Sequence, residues 1–180
     1  MITINGRSVL ASLFTCLCLT ATTPPLAAAD PEAIVVSTVG DEVTIDGAEI
    51  VLVPAVADLV KAWGEPSRTK NLVNDIRIWD DLGIRTYSST GSPSVDSISF
   101  TMREREDFEL AAKTPFAGRI LLNTGTITKE STVDDLDDHG FTPHKVLTKM
   151  RELDLLTVSF LAETDEESGE LVSLSMSFGL

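Results

Sequence analysis

Four short stretches of this 180-residue chain recur in the same order further on, at an offset of about 77 residues, and no other feature limits its folds as much. Thr44-Ile45-Asp46-Gly47-Ala48-Glu49-Ile50 lies on Leu121-Leu122-Asn123-Thr124-Gly125-Thr126-Ile127, and Asp58-Leu59 lies on Asp135-Leu136. Gly64-Glu65-Pro66 meets Gly140-Phe141-Thr142-Pro143, and Ser97-Ile98-Ser99-Phe100-Thr101-Met102 meets Ser173-Leu174-Ser175-Met176-Ser177-Phe178. The expected organisation is a lead-in at 30–42, one unit over 43–107, a linker at 108–117 and a second unit over 118–180.

Local chemistry predicts similar elements in both units. In the first, Val43 to Val53 reads as two strands around a turn at Asp46-Gly47. Pro54 suits the first position of a helix, and Val56, Leu59, Val60 and Trp63 then fall on one apolar stripe. Gly64 supplies the C-terminal cap and Pro66 ends the helix. Strands are predicted near 75–79, 84–88 and 95–102, with Gly83 taking positive φ in the turn Asp80-Asp81-Leu82-Gly83. The second unit has strands near 118–123 and 126–129, then a short helix capped by Ser131 or Thr132 and ending at Gly140. Another helix is expected from Thr142-Pro143, with Val146, Leu147 and Met150 inward, before strands near 155–162 and 171–178. Helices this short hold only when packed on something larger. The expected class is therefore α+β: two tandem short-helix and antiparallel-strand units forming one curved sheet, with helices on one face.

A short helix ending in Trp63-Gly64-Glu65-Pro66-Ser67-Arg68, followed by antiparallel strands carrying an aromatic, resembles the SmpA/BamE-like and beta-lactamase-inhibitor-protein-like modules. In the inhibitor proteins two such units stand in tandem and form one curved sheet. The resemblance marks Trp63, Gly64, Pro66 and Gly83 as structural and implies a protein-binding or envelope-assembly role. The second unit departs from it, with Gly-Phe-Thr-Pro in place of Gly-Glu-Pro and no Trp-Asp-Asp; the disulfides usual in the inhibitor proteins are also missing. Trp79-Asp80-Asp81-Leu82-Gly83-Ile84 further resembles an uncharacterised bacterial exported domain family.

Strand alternation sorts side chains onto two faces. Ile98, Phe100 and Met102 share one side, as do Leu174, Met176 and Phe178, and these are the expected core. With Ile76 and Ile78 also inward, Arg77 and Trp79 fall on the open side, joined across the turn by Arg85 and Tyr87. Rigid aromatics and planar guanidinium groups are what binding hot spots favour, so these four residues are the candidate partner-binding patch. The opposing reading packs Trp79 into the core and pairs the arginines with Asp75, Asp80 or Asp81.

The first 29 residues read as a cleaved signal peptide. Arg7 precedes an apolar run from Val9 to Leu19 that is too short to span a bilayer, and Ala27 and Ala29 suit a signal peptidase cutting after Ala29. Lipidation at Cys16 or Cys18 is the alternative, weakened by Thr15 and Leu17 where a small residue is wanted. Both cysteines of the chain lie in this segment, so the exported form, periplasmic or secreted, has no thiol and no disulfide. The formal net charge is −14, and losing Arg7 makes it one more negative. Such a surface repels phosphate backbones and anionic lipid, so nucleic acid and membrane insertion are not expected, whereas a basic protein partner is favoured.

No nucleophile elbow, phosphate loop or dinucleotide fingerprint occurs, and the chain reads as non-catalytic and without a cofactor. His139 and His144 stand among Asp134, Asp135, Asp137 and Asp138, but Gly140 and Pro143 separate them. A calcium-loop alignment puts Val146 where a bidentate glutamate is needed. No metal site is assigned. The expected function is an exported protein-binding module of inhibitor, immunity or envelope-assembly type. A small-molecule carrier or hydrolase using the concave sheet, and a purely structural envelope component, are the alternatives.

Overall fold

The computed structural model describes residues 34–39, 43–46, 48–50, 53–104 and 109–179; the expected signal peptide and its cleavage point lie outside them. The chain runs β1 (Val35–Thr38), β2 (Val43–Ile45), β3 (Ala48–Ile50), α1 (Val56–Trp63), β4 (Arg68–Asn71), β5 (Asn74–Trp79), β6 (Ile84–Ser89) and β7 (Ser97–Thr101). It continues β8 (Arg119–Leu122), β9 (Gly125–Ile127), α2 (Val133–Asp138), β10 (Thr142–Pro143), β11 (Met150–Asp154), β12 (Val158–Thr164) and β13 (Leu171–Phe178). From β2 onward, the order of two strands, one helix and four strands therefore occurs twice.

These elements make two sheets. One has the order β3-β2-β1-β8-β9, with β1 and β8 parallel and its other pairs antiparallel. The other has eight strands in the order β10-β11-β12-β13-β7-β6-β5-β4, all antiparallel. Its seam is β7 against β13, where Ser99 faces Ser175 and their hydroxyls lie 2.6 Å apart.

The expected α+β class, with helices covering one face of a single curved sheet, is overturned by this arrangement: the protein is mostly β. Its helices have eight and six residues, and the layer against the large sheet is chiefly a second sheet. The reason lies in β1, which falls in the expected lead-in. By pairing with both β2 and β8 it joins the two early hairpins into a sheet of their own. The helix expected from Thr142-Pro143 is also absent. Those residues form β10 instead, and Val146 and Leu147 are 80% and 47% exposed. The His144 ring accepts their backbone N–H groups at Nδ1, both at 3.2 Å, which holds a turn and not a helix.

Between the layers lies one large core. Ile84, Ile98, Phe100, Phe160, Leu174 and Met176 from the eight-stranded sheet meet Val36, Ile45, Ile120 and Ile127 from the smaller one. Leu59 and Trp63 of α1 and Leu136 of α2 complete it. Each such side chain contributes about 1.5–3 kcal/mol of transfer free energy, which explains how helices of two turns persist. α2 adds a capping box, in which Thr132 and Asp135 each bind the other's backbone N–H.

Gly83 closes the β5–β6 turn at φ 75°, and the backbone of Phe116 passes so close that a Cβ there would collide with it. Gly91 has a similar φ of 77° with open space around it. Gly91→Ala is expected to cost about 1–2 kcal/mol, the left-handed penalty alone. Gly83→Ala should cost clearly more, as read from urea denaturation midpoints of the two variants.

Candidate functional site

Pairing between β5 and β6 decides which side chains share a face. Arg77 lies opposite Thr86 and Trp79 opposite Ile84, while Ile76 faces Tyr87 and Ile78 faces Arg85. The four residues expected to form one patch are therefore divided: Arg77 and Trp79 point to the core side, Arg85 and Tyr87 to the open side. The parity error has a physical origin. Ile76 and Ile78, taken as inward because they are apolar, are buried on the open side in a separate cluster with Ala112, flanked by Tyr87 and Leu110.

Trp79 is a core residue, 3% exposed. Its ring meets that of Trp63 edge-on, with centroids 5.5 Å apart, and its Nε1 donates to the carbonyl of Gly64 at 2.8 Å. Trp63 in turn donates to Asp46 at 3.2 Å. Arg77 donates to Ser88 at 3.2 Å and reaches Asp75 at 4.0 Å. On the open side the Arg85 guanidinium lies 5.3 Å from the centroid of the Tyr87 ring and donates to Ser99 at 3.4 Å.

What buries Ile76 and Ile78 is the connection between β7 and β8. Residues 109–112 run as a strap over the open face, tied down by polar groups of the sheet, and the chain then turns past Asp80 into the main core, where Phe116 packs on Phe100. Arg68 donates to the carbonyls of Glu109 and Ala111, both at 2.9 Å, and Arg85 donates to that of Leu110 at 3.1 Å. Lys70 pairs with Glu109 at 2.6 Å. The amide of Ala112 donates to the Thr101 hydroxyl at 3.3 Å, and that of Phe116 to the Thr101 carbonyl at 2.6 Å.

Asp80 organises this end of the sheet. Arg68 grips it with two hydrogen bonds, Nε to Oδ2 at 2.8 Å and a terminal nitrogen to Oδ1 at 2.7 Å. The carboxylate also accepts the Lys113 amide at 3.1 Å, and the Asp80 carbonyl accepts the Thr114 hydroxyl at 2.5 Å. The Asp80 amide donates to Ser67 at 3.1 Å. Burial pushes the carboxyl upward, but the Arg68 hydrogen bonds, the Lys113 amide and the nearby positive charges outweigh it and hold it below the usual carboxylate value. Arg68 moves up in answer, chiefly through its hydrogen bonds to Asp80. Trp63-Gly64-x-Pro66-Ser67-Arg68 and Trp79-Asp80 thus form one contact set, which the sequence shows only as two separate motifs.

His139 and His144 serve local structure. The His139 ring packs where a Cβ on Gly125 would sit, and His144 lies 3.8 Å from Glu152. Among the described residues, no group of three or more His, Cys, Asp or Glu is placed to hold a metal ion, and no helix is long and apolar enough to cross a membrane. Two open depressions of about 390 and 290 Å³ lie on the surface of the described residues. The larger is lined by Met102, Arg103, Glu104, Pro115, Lys129 and Glu130.

The family model described as a domain of unknown function, DUF7738, matches residues 35–137. The chain belongs to this family. The DUF7738 match runs from β1 into α2, so it contains both tryptophan motifs, Asp80 and the strap. No curated protein matches the sequence. The chain is similar to the crystal structure of an extracellular protein containing a SCP domain from Bacillus anthracis str. Ames, with a TM-score of 0.49 and 9% identity. That likeness covers 71% of this chain and 44% of the other, so the chain spans less than half of that protein. It is too slight to carry an argument. Neither comparison concerns the SmpA/BamE-like or inhibitor-protein-like modules.

Two outcomes follow for this end of the sheet. Trp79→Ala should lower stability by about 3–5 kcal/mol in chemical denaturation, as for a buried aromatic. For Asp80, the unfolded chain takes up the proton first, near its ordinary value of about 3.9. Its contribution is therefore complete above that pH and lost as pH falls through the depressed folded value. Asp80→Asn should flatten the acid side of the stability profile, measured as Tm against pH, relative to the parent.

Proposed function

We propose that this chain is an exported, non-catalytic protein-binding module that receives an extended stretch of a partner polypeptide on the open face of its eight-stranded sheet. The observation supporting this is the strap. The face already holds a segment of the protein's own chain, the turn and bend of residues 109–112, through arginine-to-carbonyl hydrogen bonds above and small apolar contacts beneath. On this reading Arg85 and Tyr87 stay in the contact region, at the margin of the strap, whereas Arg77 and Trp79 leave it. The carrier or hydrolase reading has no such observation in its favour: the two depressions described above are lined largely by charged side chains. The purely structural envelope role predicts no partner at this face.

Both cysteines lie in the first 29 residues, so a cysteine introduced into the cleaved protein is a unique attachment point. A photocrosslinker is placed at Ser177→Cys, exposed on β13, or at Asp58→Cys, exposed on α1, and mixed with exported proteins. Adducts at Ser177 and none at Asp58 are expected. Equal labelling from both, or labelling only from Asp58, would overturn the open-face reading.

A further inference from the structure

The loop between β10 and β11 is held by an acceptor that a single proton would remove. Nδ1 of His144 takes the backbone N–H groups of Val146 and Leu147, both at 3.2 Å. These amides lie two and three residues ahead, the pair that an asparagine or aspartate oxygen takes in an Asx turn. An imidazole nitrogen accepts only while it carries no hydrogen, so the ring is neutral here and protonated at Nε2. That nitrogen lies 3.8 Å from Oε2 of Glu152 on β11.

A second proton reverses the contact. It goes to Nδ1 and turns the acceptor into a donor aimed at two other donors. The same proton charges the ring beside Glu152, which attracts it. Protonation is favoured on one side of the ring and incompatible with the turn on the other, so the two are reconciled by letting the turn go. The loop bonds are therefore present at high pH and lost as pH falls.

Other charges around the loop are engaged elsewhere or turned to solvent. Arg151 of β11 points to the opposite side of the hairpin, where Asp137 of α2 takes it at 3.1 Å. Lys145 and Lys149 are exposed. Glu163 of β12 stands opposite Met150 and accepts from Ser173, and Glu166 accepts from the Thr148 hydroxyl at 3.3 Å. Beyond Thr148 the chain is anchored independently, since the Lys149 carbonyl accepts both the amide and the hydroxyl of Thr164, at 2.9 and 3.3 Å.

We infer that His144 is an acid-sensitive latch: its neutral ring closes the β10–β11 turn, and its protonation releases residues 145–148 with the exposed apolar pair Val146 and Leu147. The inference is independent of the protein-binding reading. It gives one corner of the large sheet a response between about pH 8 and about pH 5, where imidazole side chains change charge. His139 is the chain's other histidine; its Nδ1 is buried and accepts no hydrogen bond, so its titration serves as an internal comparison.

The test follows ring nitrogens and loop amides of the isotope-labelled protein by NMR across that range. At the upper end the His144 ring should show the tautomer protonated at Nε2. As it gains its second proton, the Val146 and Leu147 amide protons should move upfield along the same curve. Order parameters over residues 145–148 should fall together from about 0.85 to below about 0.6. His144→Asn places an oxygen where Nδ1 stands, one that takes no proton in this range, and should keep the loop ordered throughout. His144→Phe removes the acceptor and should leave the loop loose at both ends of the titration. The proposal falls if the His144 ring titrates while both amides stay in place, or if they follow the His139 curve instead. It falls equally if the neutral His144 ring carries its hydrogen on Nδ1, if His144→Asn loosens in acid as the parent does, or if His144→Phe stays ordered.

Discussion

The Arg68–Asp80 pair is the interaction on which the rest of this end of the molecule depends. Asp80 is buried, and a buried carboxylate is costly unless its charge and lone pairs are met. Arg68 meets it with two hydrogen bonds and keeps enough donors to hold two carbonyls of the strap. One guanidinium thus joins the edge strand, the β5–β6 turn and the crossing segment. Desolvation limits what the pair adds to stability, and its larger effect is on geometry. With Asp80 fixed, the strap has one path over the sheet, and Ile76 and Ile78 are covered along it.

The tryptophans do a related job on the core side. Trp79 bonds the carbonyl of Gly64, and Trp63 bonds Asp46 at the turn between β2 and β3. The ring pair therefore links α1, the large sheet and the smaller sheet through contacts that are apolar in bulk and polar at their tips. Asp46 itself sits at φ 51° and accepts the amide of Val35, which ties β1 to the same point. Motifs a dozen or more residues apart converge on a single junction between layers.

Much of the strand pattern was legible because it rests on alternation. The buried sets Ile98, Phe100, Met102 and Leu174, Met176, Phe178 follow from period-two apolarity, and the Gly64 and Gly83 turns from backbone chemistry. The class was not legible, because it depends on Val35–Thr38, a four-residue strand whose second partner, β8, lies far along the chain. The candidate patch failed for a different reason. Alternation identifies which residues share a face but not which face is inward when a second segment covers the outer one. Ile76 and Ile78 are apolar because the strap lies on them. The sequence offers no signal for that in the linker itself beyond Leu110 and Ala112. The helix expected after Pro143 had the apolar spacing but no cap or partner strong enough to hold it, and the side-chain acceptor of His144 favoured a turn.

The parallel pairing of β1 with β8 has a consequence for how the chain reaches its native state. Element order alone suggests two halves that could each fold by themselves. Yet β1 completes its sheet only against a strand from the far half, and the large sheet is closed by the β7–β13 seam, another distant pairing. Local hairpins can form early, but both long-range joints require large loops to close before either sheet is whole. The two halves are consequently a single cooperative unit. Severing the chain between them would leave β1 without its parallel neighbour and expose both seam strands as raw edges, open to pairing with other chains.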